Sequence, residues 1–112
     1  MFEFRLDPDI FEVVKNGTKR VEVRLYDEKR KKMNIGDELV FFKRPLEEEK
    51  LVTVITNLKR FKAIEELLSN YQMKDIYIDG TKKDDFIKLL GRFYSKEEQE
   101  NYGIVAIEFE VV

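Results

Sequence analysis

Five short runs of β-branched and aromatic residues constrain this chain more than any other feature. They are FEFRL at 2–6, VEVRL at 21–25, ELVFFKR at 38–44, LVTVITNL at 51–58 and IVAIEFEVV at 104–112. Strands of this length do not persist alone and must share a sheet. In the second run Val21, Val23 and Leu25 alternate with Glu22 and Arg24, the period of a strand with one buried and one wet face. Only the charged segment PLEEEK parts the third run from the fourth, which predicts a hairpin with a solvated turn. The fourth run extends through Phe61 as a long bent strand.

Helical patterns fill the remainder. Asp7 and Pro8 supply an N-cap and a first-turn proline, and Asn16-Gly17 ends that helix. A second helix starts at Ala63, with Ile64, Leu67 and Leu68 on one side. Phe86, Leu89, Leu90 and Phe93 fall at i, i+3, i+4 and i+7, a core-facing stripe. Ser95 with Glu98 three residues on matches a capping box, and Gly103 closes that helix. NYQMKDIYIDG fits no single pattern, and DEKRKKM reads as a loop or one polar turn. The order predicts an α+β fold in one domain over residues 1–112. Its small, mainly antiparallel sheet curls toward a β-barrel with flanking helices.

Composition excludes several chemistries. The chain has no Cys and no His, so disulfides, thiolate catalysis and serine–histidine catalysis are absent, and no metal site or cofactor is expected. Acid–base work falls to Asp, Glu, Lys or Tyr. No apolar run approaches the ~20 residues of a membrane span, and MFEFRLDPD lacks a signal-peptide pattern. A soluble, cytoplasmic protein is expected. Abundant Lys and Glu without Cys suit a thermophilic source.

The net charge of −2 conceals an asymmetry. Residues 15–32 carry eight cations against three carboxylates, whereas residues 84–112 carry three against seven. A basic face on a near-neutral protein points to an anionic partner, and nothing marks that partner as DNA. Lys19, Arg20, Glu22 and Arg24 are the concentrated set: cations to hold phosphate or a carbonyl, a carboxylate to accept from a base or amine. On strict alternation Arg20, Glu22 and Arg24 share one side, opposite Val21, Val23 and Leu25. Lys43 and Arg44 are outer contacts, and the KRKK run at 29–32 is a candidate phosphate-contacting loop. Tyr26, Phe42, Tyr71, Tyr77 and Tyr94 are candidate stacking platforms, with Tyr26 favoured because it ends a strand beside the basic loop. A purely structural role, cross-strand ion pairing on an exposed face, competes with this one. An acidic C-terminal helix for protein contacts is a third alternative.

The run NGTKRVEVRLYDEKRKKMNIGDELVFF resembles the signature of the ASCH domain family, a branch of the PUA-like superfamily. The resemblance rests on Gly17, Lys19, Glu22, Arg24, Gly36 and Asp37, and on the closing FYSKEEQENYGIVAIEFEV. It implies a PUA-like barrel with a cleft beside the Lys…Glu-x-Arg strand, and RNA or a nucleoside-type small ligand as partner. Some bacterial relatives are amidohydrolases acting on N4-acetylcytidine, which would make Lys19 a proton shuttle and Glu22 a base. Those relatives have a Thr nucleophile where this chain has Glu22, and that departure argues against hydrolysis.

Overall fold

The computed structural model describes residues 1–112. Its elements are β1 (Phe2–Leu6), α1 (Pro8–Lys15), β2 (Val21–Leu25), β3 (Glu38–Lys43), β4 (Lys50–Phe61), α2 (Ile64–Leu68), α3 (Met73–Ile76), α4 (Lys83–Phe93), α5 (Lys96–Tyr102) and β5 (Ile104–Val111). One 3-10 turn, Arg30–Lys32, interrupts the β2–β3 connection. No helix is long and apolar enough to cross a membrane.

The strands form a curled five-stranded half-barrel in the order β1-β3-β4-β5-β2. The sheet is mixed. β3–β4, β4–β5 and β2–β5 run antiparallel, but β1 pairs with β3 in parallel. The parallel ladder arises because α1 and β2 intervene between β1 and β3, and the chain returns to β1's side in the same direction. β4 is the long bent strand expected, with its pairing to β5 shifted between Ile55 and Asn57; such a shift bends a strand and tightens its twist.

The two faces of the sheet have separate cores. Val105, Ile107 and Phe109 join Phe4, Phe11, Phe41 and Ile55 on one face, under α1. Ile104 and Ala106 join Val21, Val23, Phe61, Leu67, Ile76, Phe86 and Leu90 on the other, under α2, α3 and α4. β5 is therefore covered on both sides, which explains why its first four residues are all apolar. The Arg24 guanidinium on β2 lies 3.9 Å from the Phe4 ring centre on β1. These strands are last and first in the sheet order, so their side chains can meet only on the inside of the curl.

Local signals hold in most places. Ser95 Oγ accepts from the Glu98 amide at 3.1 Å, and the Ser95 amide donates to Glu98 Oε1 at 2.9 Å. Gly103 ends α5 at φ +77°, and a Cβ there would stand 2.9 Å from the Phe61 carbonyl oxygen, so only glycine fits. Asp7 precedes α1 as expected, but its side chain makes no capping bond. The ambiguous segment contains the single turn α3, boxed by Gln72 and Asp75. Phe93 departs from the core stripe: Phe86 and Leu90 are buried, while Phe93 is 71% exposed. It is the last residue of α4, where the stripe runs past the edge of the core. The PLEEEK turn is more than solvated, since Glu47 holds Arg5 at 3.1 Å and Glu49 holds Lys15 at 2.6 Å.

Candidate functional site

β2 shows why the charged residues sit where they do. Its pairing places Glu22 opposite Ile107 and Arg24 opposite Val105, both inner-face residues of β5. Directly paired residues share a face, so the side expected to be wet is the inside of the half-barrel. Glu22 is 7% exposed and Lys19 only 1%.

Free-edge chemistry accounts for this burial. The Phe109 amide donates to the Arg20 carbonyl and the Tyr26 amide to the Gly103 carbonyl. Even-numbered residues of β2 therefore bond to β5, and the odd-numbered N–H and C=O groups point to the open edge. There Lys19 Nζ donates to the Val21 carbonyl, and the Val23 amide donates to Glu22 Oε1 at 3.1 Å. The pair stands in for a missing neighbouring strand on an edge that would otherwise be unpaired. Lys19 Nζ also donates to the Ile76 carbonyl at 2.9 Å and to Glu22 Oε1 at 3.3 Å. All three ammonium protons are thus used, and α3 is stapled to the start of β2. The Arg20 amide adds a bond to the Asp75 carbonyl at 2.9 Å.

Glu22 Oε2 accepts from Arg24 Nη2 at 3.3 Å. Burial alone would raise the Glu22 carboxyl, but Lys19, Arg24 and the Val23 amide together hold it below the ordinary carboxylate value. Burial pulls the Lys19 ammonium down from its usual value, opposed by Glu22. For Arg24, burial works against the charge, but the adjacent Glu22 carboxylate outweighs it and raises the guanidinium above its ordinary value.

This chain of charges is the floor of a partly open cleft of about 290 Å³ at the β1–β2 seam. Arg5 and Leu6 of β1, Asp7 and Ile10 near the start of α1, Ile76 and Tyr77 at α3, and Leu89, Phe93 and Tyr94 at the end of α4 form its walls, with Arg44 also lining it. No group of three His, Cys, Asp or Glu side chains gathers to hold a metal ion.

The expected set divides. Lys19, Glu22, Arg24 and Arg44 line this one cleft. Arg20 does not share a side with Glu22 and Arg24. It precedes the strand, is paired with Asp75 at 3.7 Å, and lines a second, separate hollow with Tyr71 and Glu108. Tyr26 is half-buried beside Lys31 and Arg60, away from the cleft walls. Lys43 is spent on Glu12 at 2.8 Å and Glu49 at 3.8 Å, also outside them. Within KRKK, Arg30 turns inward onto Asp27 at 2.8 Å and Lys31 pairs with Glu28 at 3.2 Å, which leaves the exposed Lys29 and Lys32 without ion-pair partners. Of the aromatic candidates, Tyr77 and Tyr94 reach the cleft. Tyr71 is tied to Glu108 at 2.7 Å, and Phe42 lies beneath Arg5. Arg5 and Phe93 line the cleft without having been singled out as ligand contacts. Arg5 looks like any outward residue of an alternating strand, and Phe93 fits a core stripe.

Comparison with known proteins agrees with this architecture. A crystal structure of the hypothetical protein PH0355 superposes with a TM-score of 0.83 at 26% identity, covering 99% of this chain and 98% of that one. The solution NMR structure of protein PF0455 from Pyrococcus furiosus gives 0.77 at 27% identity, covering 99% and 96%. No functionally curated protein matches the sequence. The model of the ASCH domain matches residues 5–112, and the chain belongs to the ASCH domain family.

Proposed function

We propose that this protein binds RNA, or a nucleotide-like ligand, in the cleft at the β1–β2 seam of a PUA-like half-barrel. The observation that carries this is the cleft itself. A buried Lys19–Glu22–Arg24 chain forms its floor, aromatic side chains its walls, and a cation without an ion-pair partner, Arg44, stands exposed beside them. Its volume of about 290 Å³ is just below the ~300–1,000 Å³ range of small-molecule pockets, which suits one nucleotide rather than a helix. Lys19 and Glu22 act here as the scaffold that holds Arg24 in place. Membership of the ASCH family favours the same partner.

A labelled, mixed-sequence single-stranded RNA titrated across a salt series tests this. Binding should weaken steeply with salt, and Arg44→Ala should reduce the salt slope by about one while leaving the fold intact. Salt-independent binding, or none, would overturn the proposal. Hydrolysis of N4-acetylcytidine draws on the same buried pair, since burial moves Lys19 toward the neutral form a proton shuttle needs. Against it, every Nζ proton is already given to Val21, Glu22 and Ile76. No cytidine release is expected.

A further inference from the structure

The hydrogen-bonding groups on the cleft floor are not equally available. Lys19 has three N–H groups and three protein acceptors, so it has none to offer a ligand. Glu22 Oε1 already takes two donors, Lys19 and the Val23 amide. Glu22 Oε2 takes one, from Arg24, and a carboxylate oxygen accommodates two. Arg24 has five N–H groups, and its side chain retains 23% exposure. The floor therefore presents one free acceptor directly beside free donors.

A phosphate is an incomplete complement to that floor, because it carries only acceptors: it can take the Arg24 donors but leaves the free Glu22 acceptor unmet. A planar group with an N–H next to an acceptor is a good complement, and the Watson–Crick edge of a nucleobase has that form. The wall supports the same ligand. Phe93 is 71% exposed and adjoins Tyr94 at the cleft, which offers a stacking surface for a flat ring. Arg44, lining the cleft without an ion-pair partner, suits the attached phosphate.

We infer that the cleft takes a single unpaired nucleobase, Watson–Crick edge toward Glu22 and Arg24 and one ring face on Phe93, so that the protein selects unpaired over duplex RNA. This rests on RNA binding in the cleft and specifies what part of the RNA enters. In a duplex that edge belongs to the partner base, and a cleft of about 290 Å³ does not admit a pair.

The test measures fluorescence anisotropy with one labelled RNA, single-stranded and annealed to its complement, on wild type, Phe93→Ala and Phe93→Tyr. The single strand should bind at least ~10-fold tighter than the duplex. Phe93→Ala should weaken it by about 5- to 150-fold, as removal of a stacking platform does, and Phe93→Tyr should restore it. Phe93 is exposed, so the fold should survive each change. Equal affinity for both RNAs, or indifference to Phe93→Ala, would overturn the base-insertion claim while leaving RNA binding standing. Failure of both RNAs to bind would remove the binding proposal together with it.

Discussion

Lys19→Met is expected to cost the fold about 3–5 kcal/mol, the usual penalty for removing one partner of a buried ion pair. Three acceptors lose their donor at once: the Val21 carbonyl on the free edge of β2, the Ile76 carbonyl that ends α3, and Glu22 Oε1. Met matches the length of the Lys stem and keeps the packing, so the loss reports the ammonium alone. The thermal midpoint should fall by more than about 10 °C for a chain of this size. Lys15→Met removes an exposed ion pair with Glu49 and should leave the midpoint nearly unchanged. Thermal melts followed by circular dichroism compare the two. A small effect at Lys19 would mean that the β2 edge is held by something else.

Acid should expose the other half of the pair. Lys19 and Arg24 hold the Glu22 carboxyl below its ordinary value, so the unfolded chain takes up this proton before the folded one does. The stabilisation is complete above the normal carboxylate range and is lost as pH falls through the lower folded value. Glu22→Gln should remove this component, and its stability should depend less on pH across the acid limb than that of wild type. At neutral pH the variant should be less stable by a margin similar to Lys19→Met, because it leaves two cations facing each other without a carboxylate. Urea midpoints measured from neutral pH to about pH 3 give both quantities. Parallel pH profiles for the two proteins would mean that Glu22 is not the carboxylate whose protonation matters.

The strands at 2–6 and 21–25 were legible from their period of two, and those at 38–44, 51–58 and 104–112 from short β-branched and aromatic runs bounded by turn residues. The Ser95–Glu98 box and the Gly103 stop were legible because they are local. Alternation gives the parity of Glu22 and Arg24 but not what covers their side, and only the curl of the sheet turns that side inward. The parallel β1–β3 ladder was illegible for a similar reason, since pairing partners distant in sequence leave no local trace. Phe93 misled because a helical stripe does not announce where the core beneath it ends. Arg20 was grouped with the site by strict alternation, Tyr26 by its place at a strand end beside the basic loop, and Lys43 as an outer contact next to Arg44. Asp75, Arg60 and Glu12 then claim or neighbour them in three other places.

Amide chemical-shift mapping on the labelled protein tests the central claim most directly. A short single-stranded RNA is added, and the backbone resonances of all assigned residues are followed. Saturable shifts should concentrate at Arg5, Arg24, Arg44, Tyr77, Phe93 and Tyr94, the residues that ring the cleft. Shifts confined to Arg30–Lys32 or to the hollow around Arg20, Tyr71 and Glu108, or no shifts at all, would contradict binding at the β1–β2 seam.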